Sequence, residues 1–215
     1  MKIYIDGYIV PDEDALIMRW WDIPYFSPKM LREKLGQAGN GDVELMINSY
    51  GGDVWAAQAM YSELKQYKGK VTGLITGLAA SAATIVMCAC EHLKASPGAQ
   101  VMIHNAETSA DGDYRDMEST VEMLKTANDG IKAIYTAKTG RSYQELQDAL
   151  DAETWFSAET ALEAGFVDEI ETFEDVKLVA GINDLDMKKL RQEYEKHNNW
   201  QKQAEACLQI EELRY

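Results

Sequence analysis

The chain has 215 residues, 46% of them hydrophobic and 27% charged, which are ordinary globular values that argue against wholesale disorder. A chain of this length buries roughly 70% of its unfolded surface and needs no disulfide or metal staple. Its 36 acids against 21 Lys and Arg leave a net charge of −15. That balance speaks against nucleic acid and against anionic membrane surfaces, since both are bound by neutralising phosphates with Lys and Arg.

No apolar run approaches the length of a membrane-spanning helix. The opening Met1-Lys2-Ile3-Tyr4-Ile5-Asp6 has no apolar signal-peptide core, so the expected location is cytoplasmic. Cys88, Cys90 and Cys207 form no CxxC pair, which fits reduced, buried thiols.

Ile3, Ile5 and Tyr8-Ile9-Val10 predict a first strand, ended by Pro11 and the acidic turn Asp12-Glu13-Asp14. Ser27-Pro28 opens a short helix to about Leu35, with a capping residue before Pro at the first helical position. Val43 to Asn48 is a second strand that Gly51-Gly52 ends, and Ala57, Met60, Tyr61 and Leu64 keep helical spacing after it. Val71 to Thr76 is a third strand, followed by Gly77-Leu78-Ala79-Ala80-Ser81 and an apolar helix to about Cys88, with His92 at its end. Gln100 to His104 is a fourth strand after the Pro97-Gly98 turn.

Strand, glycine turn and helix thus repeat with nearly all-apolar strands, which predicts an α/β fold with a parallel sheet covered on both faces. A long amphipathic helix follows from Tyr114 to Lys138, carried by Met117, Val121, Leu124, Ile131 and Ile134. Ser142-Tyr143-Gln144-Glu145 is a capping box, and Ser157 to Ala164 is a short helix closed by Gly165. Beyond about Phe173 the composition turns to Lys, Glu, Gln and Asn. The expected organisation is a domain over 1–172 and a charged helical tail over 173–215. Residues 1–170 hold 26 of the acids and 14 of the bases, so most of the negative charge belongs to the domain.

Three histidines limit the chemistry. His197 lies in the polar tail, and His92 suits the carboxyl end of a helix, where a cation favours the dipole. His104 ends an apolar strand, at the edge where α/β sheets bind ligands. Ser81 sits at a strand–turn–helix junction, where its hydroxyl projects over that edge and the amide of Ala82 can stabilise an oxyanion. Gly51 and Gly52 let the backbone approach a ligand closely. Neither the GxSxG elbow nor the phosphate-loop GKS/T signature is present. Asp151, Glu153 and Asp168 are all candidates to orient the imidazole, and the chemistry alone does not choose among them.

Four motifs resemble the Clp protease proteolytic subunit (ClpP, peptidase family S14), and most of all its phage and prophage branch, often linked to capsid maturation. They are Ile47-Asn48-Ser49-Tyr50-Gly51-Gly52, Gly77-Leu78-Ala79-Ala80-Ser81-Ala82, Met102-Ile103-His104-Asn105, and Phe156-Ser157-Ala158-Glu159-Thr160-Ala161 with Gly165-Phe166-Val167-Asp168. The resemblance covers about residues 1–172. It implies a ClpP/crotonase-type fold of stacked βαβ units with a long projecting helix. It also implies a serine endopeptidase acting on polypeptides, with Ser81 as nucleophile, His104 as general base and oxyanion donors at Gly51 and Ala82. The segment after Gly52 would pair with substrate as a strand.

Ungapped alignment of the Phe156 motif puts Glu153 where the family has its triad aspartate, with Asp151 as rival. Tyr50 stands where the family usually has proline. A ring-shaped homo-oligomer is implied, with Tyr114–Lys138 projecting between subunits. No metal or cofactor is implied. The short N-terminus lacks the axial-loop segment that contacts an unfoldase ATPase in the housekeeping enzyme, which argues against that partner. The rival readings are a crotonase-type acyl-CoA enzyme, a Ser-Lys peptidase, and a catalytically inactive assembly protein of the same fold.

Overall fold

A computed structural model of the chain describes residues 1–172 together with Gln192; the charged tail expected over 173–215 otherwise lies outside the described residues. The elements run β1 (Lys2–Ile9), a 3-10 turn (Asp12–Asp14), α1 (Ala15–Trp20), β2 (Tyr25–Phe26), α2 (Pro28–Ala38), β3 (Val43–Gly52), α3 (Val54–Gln66), β4 (Val71–Ala80) and α4 (Ala82–Met87). They continue with β5 (His92–Ala95), β6 (Gln100–Ile103), α5 (Tyr114–Thr139), α6 (Tyr143–Asp151), β7 (Thr154–Ser157), α7 (Ala158–Glu163) and β8 (Glu169–Ile170).

The strands form one sheet in the order β2-β1-β3-β4-β5-β8, with β6 and β7 branching from β4. The first half of β4 (Thr72–Ile75) pairs with β5, and its last residues, Leu78–Ala80, pair with β6. This division of one long strand brings the carboxyl ends of β4 and β6 side by side. All pairings are parallel except β6 with β7, so the expected parallel α/β sheet is present with one antiparallel addition.

The core is built from Ile3, Ile5, Leu45, Ile47, Ile75, Leu93, Val101 and Ile103 on the strands, with Ala57, Met60, Ile85 and Val86 on α3 and α4. Burial alternates along β1, where Ile3 and Ile5 are enclosed while Tyr4 and Tyr8 are exposed. The expectation of a sheet covered on both faces therefore fails at β1, which has the one-sided pattern of a half-covered strand. β3 runs on through Gly51 and Gly52 instead of ending before them, because β1 continues to pair with it across a register shift at Gly7/Tyr8. The long helix and the Ser142 capping box on α6 fall as the sequence predicts. Ser27 precedes Pro28 at the start of α2 as expected but makes no side-chain capping bond, whereas Ser157, read as the first residue of its helix, is the cap of α7 and accepts from the Thr160 N–H.

Candidate active site

β3, β4 and β6 all end at the same carboxyl edge of the sheet, where open α/β sheets bind ligands. Ser81 separates the last residue of β4 from the first of α4 and has φ 53° and ψ −126°. A non-glycine residue holds such a conformation at a cost of about 1–3 kcal/mol, and only where its surroundings over-determine it. Here the Ser81 N–H donates to the Met102 carbonyl at 2.9 Å, and the Ser81 carbonyl accepts the Thr84 N–H at 2.9 Å. The turn puts Ser81 Oγ 2.7 Å from Nε2 of His104, the residue after β6. With Nε2 unprotonated, the serine hydroxyl donates to it, the contact a general base needs.

The antiparallel pairing of β7 on β6 runs from Gln100↔Ser157 to Ile103↔Thr154. One step further, the same register opposes His104 to Glu153, and facing residues of an antiparallel pair project to the same side. Glu153 lines the cleft that contains Ser81 and His104 and has a left-handed φ of 49°. Among the described residues no hydrogen bond joins it to the His104 ring. Asp151 accepts from Asn105 Nδ2 and Gln147 Nε2, each at 2.8 Å. Those two bonds, the Asn105 one first, hold its carboxyl below the usual range. Asp151 thus anchors the neighbour of His104. Asp168 is tied elsewhere, accepting from the Leu93 N–H and from Lys138 Nζ, both at 2.7 Å.

The β3 turn rests directly on Ser81. A Cβ on Gly51, whose φ is 91°, would lie 2.5 Å from the Ala80 carbonyl oxygen, 2.7 Å from Ser81 Cβ and 2.8 Å from the Ala82 nitrogen. The Gly51 N–H, expected to face an oxyanion, donates in this conformation to Ser49 Oγ at 3.1 Å, and that hydroxyl donates to the Gly7 carbonyl at 2.6 Å. Ala82 opens α4, so its N–H has no helical acceptor one turn earlier.

The cleft around these groups has a volume of about 540 Å³ and includes Gly52 in its wall. Tyr8, Tyr50 and Trp55 supply aromatic surface, Met102, Met123 and Leu124 aliphatic surface, and Asp53, Glu107 and Glu153 carboxylates; no Lys or Arg lines it. Tyr8 and Tyr50 lie 6.2 Å apart between ring centroids. Sequence reasoning misses Tyr8, and the signal for it is its register against Gly51.

The other candidates are placed away from this chemistry. His92 does not end a helix: it opens β5, and its Nε2 lies 3.0 Å from Glu169 Oε2. His197 lies outside the described residues. Burial pushes the Cys90 thiol up to about 12 and raises that of Cys88 as well, so neither supplies a thiolate near neutral pH. Among the described residues no group of three or more His, Cys, Asp or Glu is arranged to hold a metal. No helix among them is long and apolar enough to cross a membrane.

A serine–histidine pair on the carboxyl edge of a mostly parallel sheet defines the class of site, and comparison with known proteins supplies the family. Residues 34–174 match the Clp protease family model. The chain is 38% identical over 138 residues to ATP-dependent Clp protease proteolytic subunit 1 of Protochlamydia amoebophila, covering 61% of this chain and 66% of that protein. It is 33% identical over 131 residues to the ATP-dependent Clp protease proteolytic subunit of Dehalococcoides mccartyi, covering 60% and 66%. The chain therefore spans just under two thirds of the length of these curated relatives. Among solved structures, a point mutant of ClpP1 from Listeria monocytogenes superposes with a TM-score of 0.66 at 25% identity, covering 81% of this chain and 92% of that one. The chain belongs to the Clp protease family and has the ClpP-like α/β fold.

Proposed function

We propose that this protein is a serine endopeptidase of the ClpP type, cleaving polypeptides through Ser81, His104 and Glu153. The observation that carries the reading is the 2.7 Å contact between Ser81 Oγ and His104 Nε2. Ser81 Oγ attacks the scissile carbonyl while His104 Nε2 takes its proton. The C–N bond then breaks, His104 returns that proton to the leaving amine, and water hydrolyses the acyl-enzyme by the same relay. The Ala82 amide is the donor in place for the oxyanion, and Gly51 joins it once its N–H turns from Ser49. Glu153, opposite His104 in register, orients the imidazole; Asp151, bound to Asn105, sets the strand end beside it.

Peptide hydrolysis in this scheme needs no ATP, metal or cofactor. The wider assignment is a cytoplasmic, ring-forming homo-oligomer of the phage or prophage branch, acting in head maturation. It rests on the sequence motifs and on Met117, Val121 and Met123, which are exposed along α5. An acyl-CoA enzyme of crotonase type needs no serine bonded to a histidine. A Ser-Lys peptidase needs a lysine, and none lines this cleft.

The test is a fluorophosphonate probe read by intact mass on the assembled protein. One adduct on wild type and none on Ser81→Ala is the expected result; no adduct on assembled wild type sinks the peptidase reading and favours an inactive assembly protein.

The lining also bears on substrate. With three aromatic rings, three carboxylates and no Lys or Arg, the cleft suits cationic side chains, which gain about 0.5–1 kcal/mol over an exposed ring. Peptides with Lys or Arg flanking the scissile bond are expected to be cleaved about three- to tenfold faster than Asp or Glu counterparts. Added salt narrows the difference. Equal kcat/KM for the two sets at low salt overturns this preference.

A further inference from the structure

Behind the nucleophile a line of hydroxyls runs into the core. Thr84 is fully enclosed on α4, and its Oγ1 lies 2.5 Å from the Ser81 carbonyl oxygen and 2.5 Å from the Tyr135 hydroxyl. Tyr135 comes from α5 and is itself only 2% exposed. Its ring packs edge-on against Phe166, with centroids 5.3 Å apart at 85°.

Hydrogen counting fixes the direction of this line. The Ser81 carbonyl accepts only, so the single Thr84 hydroxyl proton goes to it, and Tyr135 must donate to Thr84 Oγ1. The Ser81 carbonyl therefore receives two bonds, from the Thr84 N–H and the Thr84 hydroxyl, with Tyr135 polarising the second. Burial raises the Tyr135 phenol above its ordinary range and keeps it protonated as the donor.

The consequence lies on the other side of one peptide group. The Ser81 carbonyl and the Ala82 N–H belong to the same planar trans amide and point in opposite directions. Pinning the oxygen aims the hydrogen. We propose that Tyr135 and Thr84 are positioning residues that aim the Ala82 N–H at the oxyanion. This rests on the peptidase reading above. Neither residue touches substrate; each acts through the Ser81–Ala82 amide. Transition-state stabilisation depends on donors fixed before charge develops. Loosening this amide therefore lowers kcat while leaving ground-state binding in the cleft untouched.

The test compares assembled wild type with Tyr135→Phe, Thr84→Val and Thr84→Ser. Each is measured for kcat and KM on a fluorogenic peptide and for inhibition by a peptide aldehyde, whose adduct carries the oxyanion, against the matching peptide amide. Losing an oxyanion donor outright costs 100-fold or more, so mis-aiming one is expected to cost about tenfold in kcat. Tyr135→Phe and Thr84→Val should show that loss with KM within about twofold of wild type, and with aldehyde affinity falling in parallel while amide affinity holds. Thr84→Ser, which keeps the hydroxyl, should behave as wild type, and the acidic limb of kcat/KM should not move.

The double variant should be no worse than Thr84→Val alone. Unchanged kcat in folded Tyr135→Phe, or equal weakening of aldehyde and amide, overturns the proposal. If Thr84→Val does not fold, Tyr135→Phe and Thr84→Ser still decide it. Wild type that takes no fluorophosphonate at Ser81 overturns the peptidase reading and this inference with it; wild type that is labelled beside an unimpaired Tyr135→Phe overturns the inference alone.

Discussion

Ser81→Ala and His104→Ala are each expected to lower kcat/KM on a peptide substrate by about 10⁴- to 10⁶-fold, on the order seen when a serine–histidine unit loses either member. The loss is nearly the same for both because they act as one device: without His104 the hydroxyl keeps its proton, and without Ser81 the imidazole has nothing to activate. The double variant should therefore be no slower than Ser81→Ala.

The third member separates more sharply. Glu153→Gln removes the charge that stabilises a forming imidazolium and is expected to cost about 100-fold or more. Asp151→Asn only loosens the Asn105 and Gln147 bonds, 2.8 Å each, and should cost less than about tenfold. Steady-state kinetics on the five assembled variants, the double included, reads all of this. The reverse order for the two acids would move the triad to Asp151, and a His104→Ala variant with wild-type turnover would remove histidine from the mechanism.

How legible the site is in the sequence depends on where each signal resides. Ser81 and His104 can be named because both sit at the ends of apolar strands, and such strands are visible as runs. Glu153 is not distinguished from Asp151 on chemical grounds, and what sets it opposite His104 is the pairing of β7 with β6. β7 is four residues long and β5 likewise, too short for periodicity to register. β5 finds its partner about 20 residues earlier and β7 about 50 earlier. His92 reads as a helix end for the same reason, as only four residues separate its strand from an apolar helix that ends at Met87. Asn48-Ser49-Tyr50-Gly51-Gly52 reads as a terminating turn because paired glycines usually end strands, yet Ser49 bonds the Gly7 carbonyl and β1 pairs through to Gly52. The Tyr135–Thr84 line is invisible in sequence altogether: two hydroxyls 51 residues apart meet only because α5 crosses behind α4.

Gly51→Ala is the substitution expected to do most damage without removing any functional group. The added methyl would meet the Ala80 carbonyl oxygen at 2.5 Å, Ser81 Cβ at 2.7 Å and the Ala82 nitrogen at 2.8 Å. None of these is the far end of a flexible side chain, so no rotamer change relieves the clash. The φ of 91° adds strain, because L side chains rarely adopt it. Either the β3 turn lifts off Ser81 or the Ser81 turn is pushed from its place beside His104. A misplacement of about 1 Å at a reacting group is enough to cost about 100-fold in rate, and a loss of that size or greater in kcat is expected. Stability should fall by about 2–4 kcal/mol, the range for strain at a special backbone position combined with overpacking.

Gly36→Ala is the matched control. Gly36 lies exposed within α2 with nothing within 4 Å of its added Cβ, so alanine there should stabilise by about 0.5–1 kcal/mol and leave turnover unchanged. Urea melts and peptide kinetics on the two variants separate the cases. A Gly51→Ala enzyme with wild-type kcat would show that the β3 turn does not need to sit against Ser81, and the oxyanion site would then have to be built without it.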